Sequence, residues 1–316
     1  MKDISTKRIK NISSEEQYKG ENELILNTIS ELESMSCAEL VRLLDETCIE
    51  KRKLPWEYRR AFRIKDLTEE ERKLYYMHYS EERLNEGNKQ LELLKKVLSR
   101  LKYKSQKQVT LAMELGTGRG GFLAALQQSL LFPNAQFQGI DTDIASLLIN
   151  QKINDDLGNE NYSLICYSGD KLPFDDQSID IITSFSTLEH VGNIEKQYHL
   201  LAECSRCLKP QGIAILRFPN KYNIIKPEEH VKILFLHFLP RNYKDLVSFK
   251  IAGMPSSDIH PPSIFQLRKV LKKISDIAYK LYSEAEFENK KLKSSLFRSY
   301  IAKTIGPGFV LVIIKT

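Results

Sequence analysis

"LAMELGTGRGGFLAAL", residues 111–126, decides how this chain is read. A β-rich run from Val109 to Leu115 meets a cluster of glycines, after which Phe122, Leu123 and Leu126 recur at helical spacing, so the stretch reads as strand, tight turn and helix. A ligand belongs at such a turn, because glycine lets the backbone come close to it. Two spacing patterns overlap there: G-x-G-x-x-G over Gly116, Gly118 and Gly121, and E-x-G-x-G-x-G over Glu114, Gly116, Gly118 and Gly120. Each belongs to a nucleotide- or nucleoside-binding turn, and the loop alone does not choose between them.

Working outward, β-rich runs at 109–115, 136–140, 162–167, 179–185 and 212–218 alternate with helical stretches near 120–131, 143–154 and 194–208. That alternation argues for a parallel sheet with helices on both faces. Upstream, residues 1–20 are polar and expected to be poorly ordered, while 21–104 carry helical periodicity broken only by Pro55 and containing only Gly87. Downstream, a long irregular or helical insert at 221–262 precedes a helix at "PSIFQLRKVLKKI", residues 262–274. "AYKLYSE", a basic helical piece and the apolar strand "PGFVLVIIKT" close the chain. The expected organisation is a helical N-terminal region over 1–107 and an α/β domain over 108–316.

The 316 residues, 42% hydrophobic and 28% charged, suit a soluble globular protein. No apolar leader follows the basic start and no stretch reaches the length of a membrane span, so a cytoplasmic protein is expected. The net charge of +6 is unevenly spread. Residues 1–107 hold 23 basic and 20 acidic side chains, 108–219 hold 7 and 13, and 220–316 hold 17 and 8. A basic C-terminal part suits an anionic substrate or lipid surface, or is simply solvated lysine. Five cysteines (Cys37, Cys48, Cys166, Cys204, Cys207) are an odd number without framework spacing, which points to a reducing compartment. Cys204 and Cys207 form C-x-x-C, but they fall on the buried face of an amphipathic helix with Leu200 and Leu201 and lack the second pair a zinc site needs.

Asp141 ends the second strand 25 positions after Gly116, where a carboxylate can accept from both ribose hydroxyls. Further on, "SGDKLPFDDQSIDIITSFSTLEHV" offers Asp170 to an adenine amino group, with Leu172, Pro173 and Phe174 to wall the ring. Together with the glycine loop, Leu188-Glu189-His190 and "LKPQGIAILRFPN", these elements give the chain its resemblance to the class I methyltransferases that use S-adenosylmethionine (SAM). Within that group it resembles the small-molecule enzymes with L-P-F and L-E-H signatures, over roughly residues 108–220 plus the terminal strand.

The resemblance implies a Rossmann-like α/β fold with a seven-stranded, mostly parallel sheet whose last strand is antiparallel. It implies SAM as cofactor, with Glu114, Gly116, Thr117 and Gly118 around the methionine moiety, Gly120 in the same loop letting the following helix pack close, and Asp141 and Thr142 at the ribose. Asp170 and Lys171 fall to the adenine edge, and the backbone near Ser184 and Phe185 to the methionine end. The structural alternatives are Glu114 as a strand-end cap, Asp141 as a helix N-cap and Asp170 as a turn former.

By the same resemblance, the activity is methyl transfer to a small-molecule acceptor, a hydroxyl of a sugar or natural product. A hydroxyl acceptor calls for a base, and imidazole titrates near working pH, which makes His190, His230, His237 and His260 candidates. His230, in "PNKYNIIKPEEHVKILFLHFLPR", lies in a segment that resembles an acceptor-pocket lid, which Tyr222, Arg241, Tyr243 and His260 would also line. His190 follows the fourth strand of the domain; metal-dependent relatives carry Glu-x-x-Glu-His there, whereas this chain has Ser186-Thr187-Leu188-Glu189-His190, and no metal site is expected. "VKILFLHFL", 231–239, reads as lid or core, with peripheral membrane contact as the alternative. Two further readings stay open. One is RNA or protein methylation, although the motif Asn/Asp-Pro-Pro-Tyr/Phe of base N-methylation is missing. The other is a SAM-binding interaction module without turnover.

Overall fold

A computed structural model describes residues 9–11, 34–43, 68–103, 108–167, 170–223, 236–252, 260–288 and 304–316. The chain divides into two compact units, one from residues 1–47 and 64–175, the other from 48–63 and 176–316. Among the described residues there are eight strands: β1 (Ile9–Asn11), β2 (Leu111–Leu115), β3 (Gln136–Asp141), β4 (Tyr162–Cys166), β5 (Ile179–Phe185), β6 (Leu208–Pro219), β7 (Ile277–Ser283) and β8 (Gly308–Lys315). The order is β1-β4-β3-β2 in the first unit and β5-β6-β8-β7 in the second. β8 is antiparallel to both β6 and β7, while the pairs β1–β4, β4–β3, β3–β2 and β5–β6 are parallel. This is the Rossmann-like sheet expected, with seven strands from β2 onward and one addition.

The addition bears on three of residues 1–20, the others lying outside the described residues. Ile9–Asn11 pairs in parallel with Leu164–Cys166 and covers what would otherwise be an open edge of β4. At 277–283, a stretch to which the sequence reading assigned no element, Ile277–Ser283 is an edge strand paired with β8. Its alternation of exposed and half-buried residues fits an edge with one solvated face. β8 between its two neighbours is buried from Gly308 to Ile313, as a covered strand should be.

In the first unit the helices are α1 (Glu69–Met77), α2 (Tyr79–Leu101), α3 (Gly121–Gln128) and α4 (Ile144–Asp156). α1 opens with a capping box, in which Thr68 accepts from the Glu71 N–H and Glu71 accepts from the Thr68 N–H. α2 crosses α3 backbone to backbone. A Cβ on Gly87 would lie 1.9 Å from the Gly121 carbonyl oxygen, and one on Gly121 would lie 2.2 Å from the Arg83 carbonyl oxygen. Two glycines therefore set the distance between the N-terminal helices and the helix that follows the glycine loop. Cys37, Leu40 and Val41 join Tyr76, Tyr79, Ala124, Leu148 and Ile149 in one apolar cluster, so segments before and after residue 107 share a core.

In the second unit the helices are α5 (Ile194–Cys207), α6 (Arg241–Ala252), α7 (Ile264–Leu271) and the short α8 (Ala285–Glu288). α5 starts at Asn193, whose side chain accepts from the N–H groups of Glu195 and Lys196. Cys204 and Cys207 are buried, free thiols on its inner face, and burial pushes the Cys204 thiol up. Within the expected insert, Leu236–Phe238 forms a turn of 3-10 helix ahead of α6, and residues 224–235 and 253–259 lie outside the described chain.

Candidate functional site

The turn after β2 bends through three glycines in the left-handed region: Gly116 at φ 70°, Gly118 at 50° and Gly120 at 86°. An L side chain is strained there, and a Cβ on Gly120 would also meet the Asn150 Oδ1 at 2.2 Å. At Gly118 a Cβ would meet nothing within 4 Å among the described residues, so this side of the loop faces open space. The loop's own donors are used internally. The N–H groups of Gly116 and Thr117 donate to the Ile140 carbonyl (2.8 and 3.0 Å), Gly118 N–H donates to the Asp141 Oδ2 (2.8 Å), and Gly120 N–H donates to the Thr117 carbonyl (3.0 Å).

Two carboxylates flank this turn. Asp141, at the end of β3, takes the Gly118 N–H on one oxygen and the Asp143 N–H on the other at 3.1 Å. The cap of α4 is Asp143, which accepts from Ala145, Ser146 and the Ser146 hydroxyl. Capping therefore belongs to Asp143, and Asp141 is left to tie strand to loop. Burial pushes the Asp141 carboxyl up, against the N–H donors that favour its ionised form. Glu114 is buried on β2, accepts from the Thr117 hydroxyl at 2.7 Å and from the Leu123 N–H, and is pushed up to about 8, by burial first and by the nearby Asp141 as well. A cation beside this pair would favour both ionised forms.

Behind the loop runs a buried polar ladder that sequence reading missed. Asn150 on α4 donates to the Thr117 hydroxyl (3.0 Å) and to the Gly118 carbonyl (3.3 Å). Asn154 donates to the Asn150 Oδ1 (2.8 Å), and the Asn154 Oδ1 in turn accepts from Gln127 (2.8 Å) and Asn159 (2.9 Å). The signal was legible: Asn150 and Asn154, four apart and so on one face of α4, mark a polar stripe aimed at something polar. Arg119, also buried in the turn, donates to the Tyr79 hydroxyl of α2 at 3.4 Å.

The remaining expected residues lie elsewhere in each unit. Thr142 is exposed beside Asp141, and Asp170 and Lys171 are exposed after β4. Leu172 is buried, and the Phe174 N–H closes a turn on its carbonyl. In the second unit Ser184 and Phe185 are buried on β5, which ends at Ser186 in a left-handed conformation, φ 58°. Arg217 holds that turn: its carbonyl accepts from the Ser186 N–H, and its guanidinium bonds the Ser186 hydroxyl at 2.6 Å and Glu284. Nothing in the sequence marked this strained serine. His190 is exposed at the end of the 3-10 turn Leu188–His190, next to the buried Glu189, whose carbonyl accepts the His260 N–H at 2.7 Å. Tyr222 stacks on Phe238, and Tyr243 and His260 are exposed. His230 lies outside the described residues, as do the side chains of His237 and Arg241. Among the described residues no three His, Cys, Asp or Glu side chains gather as a metal site. None of their helices is long and apolar enough to cross a membrane.

Residues 113–216 match the methyltransferase domain family. The match starts on β2 and ends on β6, about a third of the chain, and takes in the glycine loop, Asp141, Asp170 and Leu188–His190. Among solved structures, the chain is similar to the YcgJ protein of Bacillus subtilis at 16% identity, covering 66% of this chain and 92% of that one with a TM-score of 0.42. It is also similar to a SAM-dependent methyltransferase of Aquifex aeolicus at 14% identity, covering 70% and 89% with a TM-score of 0.46. No curated protein matches the chain.

Proposed function

We propose that this protein is a SAM-dependent methyltransferase that methylates a hydroxyl of a small molecule, a sugar or natural product. The observation that carries the reading is the combination at the glycine loop: Gly116, Thr117, Gly118 and Gly120 spend their N–H groups inside the protein, and two carboxylates flank the open side of Gly118. A dinucleotide's pyrophosphate needs free N–H donors at this loop. SAM brings an ammonium, a sulfonium and a ribose diol, which such a loop suits.

When bound, SAM supplies an electrophilic methyl group. The chain's part is to bind and orient. Asp141 accepts from the ribose with Thr142 beside it, Glu114 fixes the loop through Thr117 and favours a cation, and Gly118 leaves room for the ligand. Asp170 and Lys171 meet the adenine edge, and Ser184 and Phe185 serve the methionine end. His230 is the first candidate for the base on the acceptor hydroxyl, and His190, exposed where β5 ends, is the second. Residues 1–107 form a cap or a partner- or substrate-binding region beside the domain at 108–316, α2 being held to α3 by the glycine crossing, and 221–262 serves as a lid. A cytoplasmic setting suits the free thiols.

Calorimetric titration with SAM, S-adenosylhomocysteine and NAD tests the reading. Binding of both sulfur nucleosides and not NAD is expected, and Asp141→Ala is expected to weaken SAM by about a hundredfold, the loss of hydrogen bonds to a charged group. Tight binding of NAD, or full SAM affinity in Asp141→Ala, overturns it. SAM binding with no turnover on any acceptor leaves a binding module.

A further inference from the structure

We propose that a cavity in the second unit binds the phosphate of a phosphorylated, hydroxyl-bearing small molecule such as a sugar phosphate. The cavity, about 300 Å³ in volume, is walled by Lys221, Lys244, His260, Asn193, Gln197 and Gln266. That volume matches the small end of ligand pockets.

Three basic residues line it from three separate segments: Lys221 follows β6, Lys244 lies on α6, and His260 precedes α7. No carboxylate is among the described residues that wall it. Two helix N-termini open on the same space. Asn193 caps the fourteen-residue α5, and Gln266 sits in the first turn of α7, so the positive ends of both helices add to the side-chain charge. Two lysines and two helix ends favour an anion, and phosphate offers more charge than a carboxylate and three acceptor oxygens.

The wall is built rather than incidental. Gln197, 1% exposed, donates to the Gly192 carbonyl (2.9 Å) and to the His260 carbonyl (2.7 Å), and Lys221 N–H donates to the Pro262 carbonyl (3.2 Å). These bonds tie the start of α5 to the segment before α7 and the end of β6 to the same segment. With both amide hydrogens so used, Gln197 presents its Oε1 as an acceptor, and that atom has no hydrogen-bond partner among the described residues. A buried acceptor costs free energy until a donor reaches it, and a hydroxyl beside the phosphate would do so. That the bound molecule is the methyl acceptor rests on the function proposed above; the binding itself does not.

The test is calorimetric titration of the full chain at fixed ionic strength with inorganic phosphate, glucose 6-phosphate, glucose and acetate, and separately with SAM, in wild type and in Lys221→Gln/Lys244→Gln. Saturable phosphate binding is expected, tighter for glucose 6-phosphate and weakened about tenfold or more in the double variant, with SAM affinity within about twofold of wild type. Lys221→Gln alone is expected to lose part of the affinity, and a thermal melt confirms that each variant folds. No phosphate binding, equal affinity in wild type and double variant, or acetate binding as tightly as phosphate overturns the proposal. Glucose 6-phosphate no tighter than phosphate overturns the role of Gln197. Phosphate binding without SAM binding sustains the pocket and sinks the methyltransferase reading.

Discussion

Around the glycine loop of the first unit, polar side chains are buried and bonded to one another: Glu114 to Thr117, Thr117 to Asn150, Asn150 to Asn154. In the second unit, Lys221, Lys244 and Gln197 stand around a cavity that can admit a ligand. The difference teaches where each unit's precision comes from. A loop held by a closed network keeps one shape whether or not a cofactor is bound, as a site used for one constant ligand should. An open basic cavity draws its selectivity from charge and volume, which change easily between acceptors.

The hardest test of the rigid half is the crossing of α2 and α3. Gly87→Leu puts a side chain where the Gly121 carbonyl stands, so the helices must separate. A loss of about 3 kcal/mol or more is expected, with the melting temperature lower by roughly 6–10 °C. In the second unit, Phe265→Ser at an exposed position of α7 should change stability by less than about 0.5 kcal/mol. Equal melting temperatures for the two variants would mean that the glycine crossing does not fix the loop.

Next in size is the ladder. Asn150→Ala strips Thr117 and Gly118 of a donor and leaves the Asn154 amide short of an acceptor, so a cost of about 2 kcal/mol is expected in a urea titration. Because the loop then loses its backing, SAM affinity should fall alongside stability. A variant destabilised to that extent but binding SAM as wild type would show that the ladder holds the fold and not the loop.

How legible was all this in the sequence? Glycines and carboxylates at fixed spacing announce a turn and its ligand, so β2, the loop and Asp141 could be placed before any coordinates, as could the antiparallel β8. Three elements escaped because nothing local encodes them. Ile9–Asn11 becomes a strand only because β4 offers an edge, and Ile277–Ser283 only because β8 does. Ser186 takes its left-handed turn because Arg217, thirty-one residues later, bonds it from the neighbouring strand. Asp141 and Asp143 illustrate the limit at the site itself: the pair was visible, but which of them caps α4 follows from geometry.

The smallest expected effect separates the two carboxylates of the loop. Glu114, pushed up to about 8 by burial, binds a proton at neutral pH in the folded chain and not in the unfolded one, whose carboxyl titrates near its ordinary value. Stability attributable to it is therefore full below about pH 4.5 and declines as the pH rises toward 8. A cationic ligand prefers the ionised form, so SAM binding should release a proton and its affinity should rise with pH, by at most about tenfold per unit below pH 8. Glu114→Gln keeps an acceptor for the Thr117 hydroxyl and removes the titration. Its SAM affinity should be weaker and should lack the pH slope of wild type, the ligand's own titration being common to both proteins. Calorimetry in two buffers of different ionisation enthalpy measures the released proton directly. An identical slope and proton count in the variant would place the titrating group elsewhere and reduce Glu114 to a structural tie between β2 and the turn.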